Sequence, residues 1–197
     1  ALFYKLKWIT KKDIKSFRTF NSKLQGHPDK RKLKCLDSGS GALGQGLSIS
    51  IGYSLASILR NNSARSYCLI GDGEMQEGQI WEAAMSAAKH QLSNLSVFVD
   101  YNKLQSYGPV PEVLELEPLV DKWRSFGFEV QEVDGHDTQA LQDLIVRLPF
   151  NSERPSAVIC HTIKGKGFPF AENNPKWHHK SGLKDANFQA MFECLEY

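Results

Sequence analysis

The stretch Gly71-Asp72-Gly73-Glu74 constrains this chain more than any other feature, because it opens a strand–loop–helix–strand unit that ends at Asn102. The rest of the unit is a short apolar strand, a helix and a second apolar strand, at residues 67–70, 77–90 and 95–99. Ligands gather where parallel strands end, at the carboxyl edge of the sheet. We therefore expect Asp72 and Asn102 to converge at that edge if their strands are neighbours.

A carboxylate and an amide oxygen in these positions suit a divalent ion bound to a diphosphate. Mg²⁺ prefers six oxygens in nearly octahedral geometry and is commonly held by one or two carboxylates together with substrate phosphates. Asp72, Asn102 and a main-chain carbonyl beyond Asn102 would complete the protein's share. Asp-Gly is also ordinary turn chemistry and an Asn can cap a turn, so it is the position of both residues within the unit that favours an ion site.

The remaining chain continues to alternate strands and helices, which predicts an α/β fold with a mainly parallel sheet flanked by helices. We expect further strands at 128–133 and 157–162. Helices are expected at the N-terminus, at 11–20, after Gly46, at 113–126 (interrupted or started by Pro118), at 138–148 and at the C-terminus. The helix after Gly46 would bury one apolar stripe, formed by Leu47, Ile51, Leu55, Ile58 and Leu59. No internal repeat or low-complexity linker interrupts the chain, so one domain is expected over residues 1–197.

Charge and hydropathy argue against two classes of partner. A formal net charge of +2 is too small to indicate nucleic-acid binding, and the basic run Lys30-Arg31-Lys32 is interpreted as a solvated loop. No apolar run reaches the ~18 residues that a membrane span needs, so no membrane partner is expected. The four cysteines are far apart, without metal-type pairing, which favours a reducing, cytoplasmic setting. The chain starts at Ala1 in helix-like sequence, and we expect upstream residues to precede it.

A second glycine-rich stretch, residues 39–46, leads into the helix after Gly46. It lacks the Lys-Ser/Thr of a phosphate-binding P-loop, and no buried strand precedes it as in a dinucleotide-binding turn. Taken alone, it is better explained as the cap of a helix than as a ligand site. Glu74 and Glu77 flank the next helix start, where acidic side chains are favoured by the helix dipole.

The histidines divide into two groups. His90 and His136 lie at predicted helix ends or turns, and His161 lies in strand-like sequence, where it is as readily packed as functional. His27, in a Gly-His-Pro loop, and His178, in the long polar segment 164–181, have no packing pattern to explain them. An imidazole titrates near neutrality and can act as acid, base or hydrogen-bond donor.

Together and in order, these motifs resemble those of transketolases. Residues 71–83 followed by Tyr101-Asn102-Lys103-Leu104 are similar to the family's thiamine diphosphate motif. The stretches around His27, at 41–46, at 164–167 and at Trp177-His178 follow the family's order, so the resemblance covers nearly the whole chain. The resemblance implies a three-layer thiamine-diphosphate-binding fold. It also implies an enzyme that transfers a two-carbon ketol unit from a ketose donor to an aldose acceptor.

The resemblance also implies a set of site residues. Asp72, Asn102 and the carbonyl of Leu104 would bind Mg²⁺ or Ca²⁺. Thiamine diphosphate would contact residues on several loops, namely Gly41, Ala42, Leu43, Asp72, Gly73, Asn102 and, on its diphosphate side, Lys164. His27 and His178 would be the catalytic side chains facing the sugar. Glu77 would lie beside the cofactor-binding residues, near the subunit interface that links paired active sites.

The chain resembles only the diphosphate-binding half of such enzymes. The resemblance therefore implies the N-terminal subunit of a split transketolase, which would use sugar phosphates as substrates. It would self-associate across this domain and form a heterotetramer with a C-terminal subunit that carries the pyrimidine-binding domain. Two departures stand out: Tyr101 precedes Asn102 where Asp or Asn is common, and His179 follows His178 where glycine is frequent. The alternatives are half of a 2-oxo-acid dehydrogenase or decarboxylase, and a non-catalytic scaffold.

Overall fold

The structure, a computed structural model, describes residues 1–195. Its strands are β1 (Ser66–Gly71), β2 (Leu95–Tyr101), β3 (Leu104–Gln105), β4 (Gly108–Pro109), β5 (Glu129–Asp134) and β6 (Ser156–His161). Its α-helices are α1 (Leu2–Lys5), α2 (Lys11–Lys15), α3 (Gln45–Leu59), α4 (Gly78–Lys89), α5 (Val110–Val113), α6 (Leu119–Ser125), α7 (Thr138–Val146) and α8 (Asp185–Cys194). Short 3-10 turns lie at Gly73–Gln76 and Pro175–Trp177.

Four strands form one parallel sheet in the order β1-β2-β6-β5. The register pairs Gly71 with Asp100, Asp100 with Cys160, and His161 with Asp134, so all four strands end at the same edge. Strands β3 and β4 form a small antiparallel hairpin directly after β2. The predicted α/β class with a parallel sheet is confirmed.

Helices cover both faces of the sheet because alternate residues of each strand point to opposite sides. On one face, Ile70 of β1 and Val99 of β2 join a core with residues of α3, α4 and α6, including Leu47, Ile80 and Trp123. On the other face, Leu144 of α7 packs with Val158 and Cys160 of β6. Cys68 and Cys160 are buried free thiols, as their place in apolar strands predicts.

Two predicted helices differ from those observed. The helix predicted at 11–20 ends at Lys15, since Arg18 adopts a left-handed φ of 60° and its amide donates to the carbonyl of Leu24, which turns the chain back. For the helix predicted at 113–126, interrupted or started by Pro118, the second alternative is observed: α6 begins directly after Pro118, and α5 already ends at Val113.

The apolar stripe predicted for α3 is correct only in its first half. Leu47 and Ile51 are buried, whereas Leu59 is 81% exposed and Ser57 takes the inward position instead. The Ser57 hydroxyl donates to the carbonyl of Ala64, which connects the end of α3 to the segment that leads into β1. Among the residues that the structure describes, none of the helices is both long and apolar enough to cross a bilayer.

Candidate functional site

Asp72 lies directly after β1 and is only 2% exposed. Its Oδ1 accepts a hydrogen bond from the Gly73 amide at 2.7 Å, and its Oδ2 accepts one from the amide of Lys103, beyond the end of β2. The Asp72 amide in turn donates to the carbonyl of Asp100 at 3.2 Å. The carboxylate of Asp72 is therefore held against the segment that contains Asn102.

Asn102 is 8% exposed at the end of β2. Its Oδ1 accepts a hydrogen bond from the amide of Leu104 at 3.0 Å, which folds the chain into the β3–β4 hairpin. A cavity of about 360 Å³ is lined by Asn102 and Leu104 together with Thr162 and Asn173. Within residues 1–195 there is no group of three or more His, Cys, Asp or Glu side chains arranged for a metal. The predicted ligand set contains only one such side chain, Asp72, beside an amide and a main-chain oxygen.

The surroundings of Asp72 have opposing effects on its charge. Burial raises the pKa of Asp72, and the nearby charge of Asp100 raises it further. The hydrogen bonds from the Lys103 and Gly73 amides and the ammonium group of Lys164 lower this pKa. Burial dominates, so the ionised carboxylate is poorly solvated. A bound cation would stabilise that ionised form by direct attraction.

Glu74 connects the glycine-rich turn to the end of β1. Its Oε1 accepts a hydrogen bond from the Gly44 amide at 2.8 Å, and its Oε2 accepts one from the Gly71 amide at 3.1 Å. Gln79 adds a second link, because its side-chain amide donates to the carbonyl of Leu43 at 2.9 Å. The turn therefore caps α3, as the pattern alone favoured, and is also joined to the Asp72 edge.

His27 lies over the same turn. Gly41 has a φ of +117°, and a Cβ at this position would come within 2.5 Å of the His27 ring. Only glycine therefore allows the imidazole to approach the backbone so closely. His27, Gly41, Ala42, Leu43 and Glu74 all line one cavity of about 700 Å³.

Lys164 and His178 come from the long loop after β6. Lys164 is near enough to Asp72 and to His178 for its charge to lower the pKa of both. The pKa of His178 is lowered first by burial, then by Lys164 and by His179, whose ring centre is 4.3 Å away. The Nδ1 atom of His178 is buried and has no hydrogen-bond partner among residues 1–195. A neutral imidazole with an unpaired nitrogen is suited to meet a polar ligand.

The family model for the transketolase thiamine diphosphate binding domain matches residues 3–196. The chain belongs to this transketolase family. It is 40% identical over 167 residues to one subunit of the apulose-4-phosphate transketolase of Actinobacillus succinogenes, covering 85% of this chain and 60% of that one. It is 43% identical over 173 residues to the 6-deoxy-6-sulfo-D-fructose transketolase subunit SqwG of a Clostridium species, covering 88% of this chain and 62% of that one. The chain thus spans about three fifths of these relatives.

Solved transketolases share the fold. The structure of transketolase from Pichia stipitis in complex with sedoheptulose-7-phosphate superposes with a TM-score of 0.90 at 27% identity, covering 100% of this chain and 31% of that one. Transketolase from Campylobacter jejuni gives a TM-score of 0.87 at 28% identity, covering 94% of this chain and 30% of that one. The transketolase resemblance and the thiamine-diphosphate-binding fold predicted from the motifs are confirmed.

The transketolase-type residues fit a diphosphate cofactor with its ion. Asp72 offers a buried carboxylate, and Gly41 leaves space that a Cβ would fill. At Gly73 a Cβ would lie 3.0 Å from the Cβ of Gln105, so the backbone there is also closely packed. The unpaired nitrogen of His178 provides a polar atom that lacks a partner among residues 1–195.

The two glutamates of this motif, Glu74 and Glu77, have different contacts, although the sequence explained both by the helix dipole. Glu74, which the helix dipole alone could explain, links two backbone segments. Glu77 immediately precedes α4 with an exposed side chain that makes no capping hydrogen bond. Its predicted place near a subunit interface stays a prediction. The sequence also offered no indication of three side-chain contacts, because no local pattern distinguishes them: those of Gln79 with Leu43, Thr162 with Asp100 and His136 with the Ile163 amide.

Proposed function

We propose that this chain is the diphosphate-binding, N-terminal subunit of a split transketolase. It would transfer a two-carbon ketol unit from a ketose phosphate to an aldose acceptor, using thiamine diphosphate and Mg²⁺ or Ca²⁺. The observation that carries the proposal is the buried carboxylate of Asp72, directed at the Lys103 amide beside Asn102. The names of the relatives, which are transketolase subunits, support it.

In this proposal the sheet edge holds the ion and the diphosphate. Asp72, Asn102 and the Leu104 carbonyl would supply three oxygens to the ion, leaving the remaining positions of an octahedron to phosphate and water. The Gly41-Ala42-Leu43 turn and Gly73 would contact the cofactor through the backbone. The ammonium of Lys164 would balance negative charge on the diphosphate, as its effect on Asp72 already illustrates.

His27 and His178 would act on the sugar. When bound, thiamine diphosphate supplies an electron sink for breaking and forming carbon–carbon bonds. The protein must then remove a proton from the donor's C3 hydroxyl as the C2–C3 bond breaks, and return one to the oxygen of the acceptor aldehyde. A neutral His178 can accept a proton or a hydrogen bond, and the lowered pKa of His178 keeps it neutral.

The proposed assembly includes a C-terminal partner that carries the pyrimidine-binding domain. We also propose that this single domain self-associates, with Glu77 at the contact, so that two chains and two partners form a heterotetramer. The free thiols of Cys68 and Cys160 are consistent with the proposed cytoplasmic setting.

The deciding experiment combines the purified chain with a candidate pyrimidine-domain subunit, sought in the neighbouring coding region. Ketol transfer from phosphoketoses should be absent for either chain alone and present for the mixture. Transfer from 2-oxo acids instead of phosphoketoses would favour a 2-oxo-acid dehydrogenase or decarboxylase half. Calorimetry that detects no binding of thiamine diphosphate with Mg²⁺, with or without the partner, would favour the scaffold and overturn the proposal.

A further inference from the structure

The loop that carries Lys164 is closed mainly by its own hydrogen bonds. In residues 163–174, here called the Lys164 segment, the amide of Asn173 donates to the carbonyl of Lys164 at 2.9 Å, and the amide of Lys166 to that of Ile163 at 3.1 Å. Gly165 packs so closely that a Cβ would lie 2.5 Å from the carbonyl oxygen of Ala171. The segment is thus a preformed unit whose position depends on how its first residues are attached to the sheet.

Two side chains make that attachment at the end of β6. The hydroxyl of Thr162 donates to the carboxylate of Asp100 on the neighbouring strand β2. The amide of Ile163 donates to Nε2 of His136 at 2.8 Å, on the turn between β5 and α7. Since a main-chain amide can only donate, Nε2 is the acceptor and the ring proton is on Nδ1. Ile163 directly precedes Lys164, so His136 is the nearer tether to the ammonium group.

The turn that presents His136 is rigid without any help from its imidazole. The carboxylate of Asp134 accepts the His136 amide at 2.8 Å, and the side chain of Asp137 caps α7 through the Ala140 amide at 2.9 Å. The Gly135 amide donates to the carbonyl of His161 at 2.8 Å, and a Cβ on Gly135 would collide with the Thr162 methyl group. Loss of the imidazole should therefore release the Lys164 segment while the turn remains in place.

We propose that His136 is a positioning residue that fixes the Ile163 amide and thereby directs Lys164 towards Asp72 and the diphosphate. The effect on the cofactor rests on the proposed transketolase function, whereas the effect on the Lys164 segment does not. The sequence pattern explained His136 only as part of a turn before a helix. Its imidazole instead links the turn after β5 to the loop after β6.

Three variants separate this role from a general loss of structure. His136→Leu removes the acceptor and replaces the imidazole with an apolar side chain of moderate size. His136→Gln restores an acceptor oxygen at a similar reach from the backbone. His90→Leu makes the same chemical change at an exposed histidine that follows α4, away from the Lys164 segment.

Two measurements are made on each variant. Hydrogen exchange of the chain alone reports the amides of the Lys164 segment, and calorimetry of the complex with its partner reports the Kd of thiamine diphosphate with Mg²⁺. His136→Leu should speed exchange by about tenfold and raise this Kd by about tenfold, which corresponds to about 1.4 kcal/mol. His136→Gln and His90→Leu should stay close to the unaltered chain in both measurements.

The outcomes are distinguishable. Unchanged exchange in His136→Leu would overturn the tether, and faster exchange with an unchanged Kd would overturn the positioning role. Equal defects in His136→Leu and His136→Gln would show that the hydrogen-bond acceptor is not what matters. If the unaltered complex binds no thiamine diphosphate, the proposed function fails, and faster exchange in His136→Leu alone still supports the tether.

Discussion

Two regions of the candidate site are held in different ways. At the carboxyl edge of β1 and β2, Asp72 and Glu74 each accept two backbone amides, and Asn102 accepts one. The Lys164 segment is closed by bonds within itself and is attached to the sheet at Thr162 and Ile163. The side chains at this sheet edge are therefore part of the hydrogen-bonded framework of the sheet. The Lys164 segment is a separate unit that is joined to that framework at one end.

This difference separates binding from stability. Polar side chains at the edge satisfy buried backbone donors, so replacing them should affect ligand binding and the free energy of unfolding together. Contacts in the Lys164 segment should affect its local opening with little change in global stability, since loops with few attachments open at low free energy. Substitutions in the two regions can test that separation.

The largest effect is expected for Asp72→Ala. The Kd of thiamine diphosphate with Mg²⁺ should rise by at least about a hundredfold, because removal of an ion ligand exceeds the cost of outer-shell changes. The free energy of unfolding should fall by about 2 kcal/mol, since two backbone amides lose their acceptor. Calorimetry with the partner and urea unfolding measure these changes. Asp121→Ala, on the exposed surface of α6, is the control, and a fully active Asp72→Ala complex would contradict the ion site.

The next largest effect is expected for Glu74→Ala. Two donors, the amides of Gly44 and Gly71, would lose one shared carboxylate, which we expect to lower the free energy of unfolding by about 2 kcal/mol. Cofactor binding should weaken as well, because the turn that carries Gly41 would no longer be joined to β1. Urea unfolding beside Asp121→Ala, the same exposed control, provides the measurement. Equal stability of the two variants would show that the turn is held by other contacts.

A matched pair of glycines tests the Lys164 segment. Gly165 and Gly167 both have positive φ, at +80° and +95°, but only at Gly165 would a Cβ meet the backbone of Ala171. Either alanine carries the cost of a left-handed conformation, about 1 kcal/mol. Gly165→Ala should also open the segment, so trypsin should cleave after Lys164 or Lys166 about tenfold faster than in Gly167→Ala. Similar cleavage rates would mean that the Ala171 contact does not close the segment.

The smallest effect is expected for Tyr101→Phe at the end of β2. The Tyr101 hydroxyl donates to Glu117 and, with the Leu119 amide, keeps the pKa of Glu117 below its ordinary value. Because that pKa is depressed in the folded state, the stabilisation is present above the unfolded pKa and is lost as the pH falls through the folded one. Glu117 is exposed, so the loss should be only about 1 kcal/mol at about pH 7 and should shrink by about pH 3. Urea unfolding at both values checks it, and a pH-independent difference would implicate packing instead.

Much of the fold and part of the site could be predicted from residue order alone. Alternating strands and helices predict a parallel sheet, and parallel strands end at one edge, so Asp72 and the segment after β2 were expected to meet if β1 and β2 are neighbours. The structure makes them neighbours. The glycine-rich turn and His27 were assigned to the site only by the ordered resemblance to transketolases, since neither has a local pattern that indicates a ligand. The prediction that the apolar stripe of α3 is buried is wrong at Leu59. Helical periodicity shows which face of a helix is apolar, but not how far along the helix the rest of the protein covers that face.

Only the tertiary structure decided the contacts between segments that are distant in the chain, because no sequence pattern links the two residues of such a contact. Glu74 and Glu77 are both acids near a helix start, and their sequence positions do not reveal which one faces Gly44. His136 and Ile163 meet because β5 pairs with β6 in a particular register, which places the turn after one strand against the loop after the other. Local sequence sets backbone preference and polarity. The direction of a side chain across the sheet edge depends on strand order and register, which are set by the packing of the whole chain.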